Sequence, residues 1–301
     1  MKTKMSKLYL FSALLCTLTA SGQTKKLTQS QVDEITLLDG KYNAQENVYK
    51  VSAPRNDIKV SVDKWQMPAF MGLTSWAAFQ PSTKVDAMIM GDIVLLQDEV
   101  NPAMSAALDS GLTVTALHNH FFFDEPKVYF MHIGGEGDTV KLAKGFRAVL
   151  DAIKQVRSEH PQPADSFGGT PLPEKSSITP EPLQKILGAK GNATDGMFKA
   201  VFGRKVKMSC GCEVGGEMGV NTWAAFAGSD DNAVVDGDFV VQASELQAAL
   251  KSLRKSGVNI VAIHSHMADE DPRMIFFHYW GRGKASELAT AVKAALNTEP
   301  K

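Results

Sequence analysis

The chain has 301 residues, more than one hydrophobic core usually serves, so two domains are expected. Its 32 Lys and Arg balance 33 Asp and Glu to a formal net charge of −1, which argues against a basic nucleic-acid surface and against a long charged disordered tail. Beyond the first residues no stretch approaches ~18 consecutive apolar residues, so no transmembrane segment is expected in the mature chain.

The chain begins with the pattern of a secretory signal, expected over residues 1–22: Lys2, Lys4 and Lys7, an apolar run from Leu8 to Cys16, and a small-residue exit at Thr19-Ala20-Ser21-Gly22. This predicts an exported protein, periplasmic or extracellular. Cys16 offers an alternative lipid anchor, but Leu14 and Leu15 before it are poor for that processing step.

An internal repeat dominates the rest of the chain. Trp76-Ala77-Ala78-Phe79 recurs as Trp223-Ala224-Ala225-Phe226, Gly91-Asp92 as Gly237-Asp238, Ser110-Gly111 as Ser256-Gly257, His118-Asn119-His120 as His264-Ser265-His266, and His132 as His278. From Gly91 onward every match is displaced by 146 residues, without insertion. The predicted organisation is a first repeat domain over 27–157, a Pro-rich linker over 158–182 and a second repeat domain over 183–297, the two domains facing each other across the linker.

Within the first unit, Ala87 to Leu96 reads as a strand around Gly91-Asp92, and Val100 to Leu108 as a helix stopped by Ser110-Gly111. Leu112 to Phe123 reads as a second strand, Asp124-Glu125-Pro126 as a turn, Lys127 to Ile133 as a third strand, and Asp138 to Val156 as an amphipathic helix. Further strands lie upstream around Lys59 and Trp76. Each domain is therefore expected to be α+β: a largely antiparallel sheet packed with helices around a strand-helix-hairpin-helix core.

Six of the seven histidines fall into two copies of one pattern, His-x-His followed by a third His. His118 and His120 leave the same face of a strand. A hairpin turning symmetrically about Glu125 sets 118 opposite 132, with His120 as diagonal neighbour of His132. His264, His266 and His278 repeat the construction around Asp271. Three converging imidazoles suit a divalent transition metal, zinc first and copper, iron or manganese after it, with one coordination position left open. The other reading is histidines that bind a polar or anionic ligand directly or act as acid and base without metal. The cluster depends on register, since a slip of one residue turns the third histidine to the opposite face.

Glu99 and Glu245 match across the repeat and are candidate catalytic bases or fourth ligands, or first-turn helix residues placed by the dipole. Asp92 and Asp238 rank below them, being equally consistent with a tight bend or bulge. Phe122, Phe130 and Phe276 share the predicted histidine face and are candidate pocket walls. Cys210-Gly211-Cys212 stands where the first unit has Asp63-Lys64-Trp65; its two thiols suit a soft metal, or are free or oxidised.

These motifs, Gly91-Asp92 with Asp98-Glu99-Val100-Asn101-Pro102, then Val114 to His120, Met131-His132 and Lys141 to Lys144, resemble the LppY/LpqO-type exported proteins, a domain of unknown function present here as two tandem copies. The resemblance implies an exported or lipid-anchored protein and supplies no reaction. The second unit departs from it by lacking the Asn-Pro after Glu245. The sequence thus predicts an exported metal-binding protein, with metal-dependent hydrolysis as one activity and a noncatalytic small-ligand or metal-sequestering module as the alternative.

Overall fold

The computed structural model describes residues 29–298. The expected signal segment and Cys16 lie outside the described residues. The first half comprises α1 (Gln29–Thr36), β1 (Lys41–Asn43), β2 (Val48–Pro54), β3 (Val60–Val62), β4 (Trp65–Met67), β5 (Thr74–Pro81), β6 (Ala87–Leu96), α2 (Val100–Asp109), β7 (Thr113–His118), β8 (Asp124–Glu125), β9 (Val128–Gly137) and α3 (Thr139–Glu159). The second half repeats this order as α4 (Pro180–Leu187), β10 (Gly191–Thr194), β11 (Met197–Gly203), β12 (Val206–Met208), β13 (Glu213–Val214), β14 (Asn221–Gly228), β15 (Ala233–Gln242), α5 (Leu246–Lys255), β16 (Asn259–His264), β17 (Glu270–Asp271), β18 (Met274–Gly283) and α6 (Ala285–Leu296). The halves are α+β, as the pattern predicts. Among the described residues no helix is long and apolar enough to cross a membrane.

Local chemistry sets the element ends. α2 stops at Ser110 because Gly111 takes a left-handed conformation, φ +81°, that most residues resist. α3 starts where the Asp138 carboxylate accepts the Lys141 N–H at 2.9 Å.

The halves do not face each other as two separate sheets. They join edge to edge, β7 against β16, into one twelve-stranded antiparallel sheet of order β1-β2-β5-β6-β9-β7-β16-β18-β15-β14-β11-β10. The order is a palindrome, and the joining pair is Leu117 opposite Ile263, which are equivalent residues of the repeat. A local two-fold axis therefore passes between them. The expectation of domains facing across a linker fails because β7 would otherwise be an open edge with unpaired backbone groups, and its own copy is the complementary edge.

The joint is sealed by a reciprocal clamp. β7 and β16 each carry a bulge, at Val114/Ala116 and Ile260/Ala262. The Asn101 amide donates to the Ile260 carbonyl at 3.2 Å and accepts the Ile260 N–H at 2.8 Å. Gln247, its equivalent, donates to the Val114 carbonyl at 2.8 Å and accepts the Val114 N–H at 2.8 Å. Gln247 thus keeps the amide function of the missing Asn-Pro.

Among the described residues all six helices contribute to one large core on one face of the sheet, against residues such as Ile89, Ile93, Leu117, Met131, Phe239, Ile263 and Phe277. The other face carries two smaller cores, one per half, under the three-stranded sheets β4-β3-β8 and β13-β12-β17. The histidines lie on this second face.

Candidate metal centre

Strand parity brings the histidines together, though not in the predicted register. His118 is opposite Phe130, and His132 is opposite Ala116. The hairpin is offset by two residues from symmetry about Glu125. The physical reason lies in the segment after His118, which leaves the large sheet: Asp124 and Glu125, expected as a turn, pair with Val62 and Ser61 of β3. The predicted strand to Phe123 therefore ends at His118. An offset of two preserves the face, so the three imidazoles still meet. The His118 ring lies 5.1 Å from His120 and 5.2 Å from His132, centroid to centroid. In the second half His264 lies 5.1 Å from His266 and 4.8 Å from His278. Phe130 and Phe276 form the floor, stacked on His120 and His266 at 3.4 and 3.5 Å. Phe122 does not join them and stands exposed in the loop.

The carboxylate beside the imidazoles is not the one expected. Asp92 is paired across the sheet with His132, and Asp238 with His278, in the middle of regular strands with no bend at either. Asp238 Oδ1 lies 3.7 Å from His278 Nδ1, and its Oδ2 lies 3.8 Å from His266 Nε2. Ligand atoms of Asp238, His264 and His278 all lie within 4.8 Å of one another. Tetrahedral ligands at zinc stand about 3.3 Å apart, so small side-chain rotations close the set. The glycine before each aspartate faces the helix side. A Cβ at Gly237 would come within 2.3 Å of the Tyr279 ring and 2.4 Å of the Trp223 carbonyl. Gly-Asp thus recurs because one residue admits close packing while the next faces the histidines.

Glu99 and Glu245 are not brought to the histidines. Glu99 is buried, accepts the Leu96 N–H at 2.8 Å, and is held by Arg55 at 2.7 and 2.9 Å with Arg157 Nε at 2.9 Å. Glu245 accepts the Gln242 N–H at 2.7 Å and pairs with Arg204 at 2.6 and 3.2 Å. Leu96 is four residues along β6 from Asp92, about 13 Å at the strand rise, so neither glutamate reaches the patch. Their oxygens are spent on guanidinium and backbone donors, which corrects the expectation of a catalytic base.

Electrostatics prepare the site. Burial, then the neighbouring His278 and His266, lower the pKa of His264; burial and His118 lower that of His120. These shifts favour the neutral form of both imidazoles, which offers a lone pair to a ligand. Burial pushes the Asp238 carboxyl up against the opposing pull of His278 and His266. Asp92 Oδ1, Asp238 Oδ1 and His264 Nε2 are buried and accept or donate no hydrogen bond. Unsatisfied buried polar atoms cost about 1–3 kcal/mol each, and the donor set of imidazoles and a carboxylate fits a divalent transition ion.

The two patches share one face and meet at the joint between the halves: His132 on β9 and His278 on β18 are three strand spacings apart, about 14 Å, whereas His118 and His264 lie on the adjoining strands β7 and β16. Cys210 and Cys212 are free and exposed at the tip of the β12–β13 hairpin. A hydrogen bond from Cys212 lowers the Cys210 thiol's pKa.

The sequence pattern undervalued Asp92 and Asp238 and missed Arg55, Arg157 and Arg204. A signal for the aspartates was present: the recurrence of Gly-Asp on strands flanking the histidine hairpin. Nothing local marks the arginines as partners of Glu99 and Glu245.

Residues 30–152 and 181–298 each match the family model described as Domain of Unknown Function (DUF1259), and the chain belongs to that family in two tandem copies. No curated protein matches. A solved structure, the crystal structure of a trimeric bacterial microcompartment shell protein PduB, aligns over 86% of this chain and 89% of that one at 10% identity, with a TM-score of 0.19.

Proposed function

We propose that this family member is an exported, LppY/LpqO-type protein that binds a divalent transition metal, zinc foremost and otherwise copper, iron or manganese, on the histidine face of its sheet. The supporting observation is the convergence of buried, unpartnered Asp238 Oδ1 and His264 Nε2 with His278. Asp238, His264 and His278 would hold the ion in the second half, with His266 at the rim. His118, His132 and Asp92 are the corresponding set in the first half, with His120 at its rim.

A divalent ion there supplies Lewis acidity toward a carbonyl or phosphoryl oxygen of a small-molecule ligand. The chain's own part is to hold the imidazoles convergent and to back them with a carboxylate. Phe276 and Phe130 fix the rim histidines by stacking. His266 stands exposed at the rim, with its Nε2 3.8 Å from Asp238. The withdrawal of Glu99 and Glu245 into ion pairs removes the expected general base. That observation favours a second reading, a noncatalytic module that captures metal or a small ligand, over metal-dependent hydrolysis.

The test is metal content of the full chain purified without a histidine tag. Stoichiometric zinc, copper, iron or manganese, lost in the variant carrying both His118→Ala and His264→Ala, is the expected result. A wild-type protein that stays metal-free when titrated with all four ions would remove the proposal.

A further inference from the structure

A cavity of about 630 Å³ opens beside the second histidine set and shares His278 with it. Its floor is Trp223, Asp236 and Trp280 of β14, β15 and β18. Asp236 is the cross-strand partner of Trp280, so a carboxylate and an indole stand side by side on one face. The roof is the linker at Asp165 to Phe167. This stretch is fastened on both sides: the Ala164 N–H donates to Asp98 at 3.0 Å, and Arg282 donates to the Gly168 carbonyl at 2.7 Å and to that of Thr170. The expected spacer between repeats is thus a strap across the second half's site.

The chemistry of the lining selects the ligand. Its surface is mainly apolar and its size suits a small molecule. Its carboxylates are Asp98, Asp165 and Asp236, of which Asp98 is already paired with Arg157, and among the described residues that line it His278 is the only basic side chain. Of the cations nearby, Arg282 is engaged by the linker carbonyls, and Lys199 rests over the Trp223 ring at 4.0 Å from its centroid. That last contact displays the preference of such a ring for positive charge. The first half has Met90 and Gly134 where Asp236 and Trp280 stand, so this carboxylate and indole pair belongs to the second half, while Gln97, Asp98, Val100, Asn101 and Tyr129 of the first half complete the lining.

We propose that this cavity is the ligand chamber adjoining the second metal site, and that it takes an organic cation, an amine or quaternary ammonium group on an apolar body, against Trp280 and Asp236. Its link to the metal rests on the function proposed above, whereas the binding itself rests on the cavity's own residues.

Calorimetric titration of the EDTA-treated full chain with benzyltrimethylammonium, benzyl alcohol and benzoate tests it. Saturable binding of the ammonium, with benzoate and benzyl alcohol at least tenfold weaker, is expected. Asp236→Asn, an exposed and nearly isosteric change, and Trp280→Leu should each weaken the ammonium at least tenfold. No saturable binding, equal binding of the neutral or anionic probe, or wild-type affinity in the Asp236→Asn protein would overturn the proposal. Titration of the same samples with zinc, copper, iron and manganese separates the two claims: metal uptake without ammonium binding sinks the chamber alone, and ammonium binding without uptake of any of the four ions sinks the metal site alone.

Discussion

The first and second halves agree closely beneath the histidine face and diverge around it. Asp124 and Glu270 are both buried and accept the N–H four residues on, of Val128 and Met274; Ser75 and Thr222 both accept the N–H of a β6 or β15 residue, Val94 or Val240. At the rim, Trp65 gives way to Cys212, and the exposed Phe122 and Phe123 to Ala268 and Asp269. On the sheet itself Met90 and Gly134 are replaced by Asp236 and Trp280. The contrast separates constraint from freedom. Residues that satisfy buried backbone groups are held by desolvation cost in both copies, whereas rim residues face water and are free to differ.

The largest expected difference between the halves lies in the buried ion pairs. Glu99 is fully buried with two guanidinium groups around it, while Arg204 opposite Glu245 retains partial solvent access. Breaking a buried pair from one side costs about 3–5 kcal/mol. Glu99→Ala should therefore lose about that much in urea denaturation, and Glu245→Ala less. Equal losses would show that solvent access does not distinguish the two pairs.

A smaller effect should be the same in both halves. Asn101→Ala and Gln247→Ala each strip two hydrogen bonds from a bulge in the other half, at a cost of about 1–3 kcal/mol. Hydrogen exchange should accelerate at Ile260 in the first variant and at Val114 in the second. Acceleration confined to the mutated half would break the reciprocal clamp.

The smallest effect sharpens the comparison of the metal sets. Asp238→Asn should weaken zinc binding at the second patch at least about tenfold in competition with a chromophoric chelator, leaving the first patch unchanged. Asp92→Asn should do the converse. If neither changes zinc affinity, the aspartates stand outside the coordination sphere.

The α+β class, the repeat and the shared face of the histidines were legible because they rest on short periods. Alternation along a strand is a local property, and a register offset of two leaves it intact. The helix at Val100 and the strand at Ala87 were likewise visible in periodicity and in the Ser110-Gly111 stop. Tertiary structure alone decided the rest. That β7 pairs with its own copy, that the linker is fastened to both halves, and that Glu99 answers to Arg55 from 44 residues away depend on long-range closure. Local pattern carries no term for such contacts, because their free energy comes from partners brought near only after the sheet has formed.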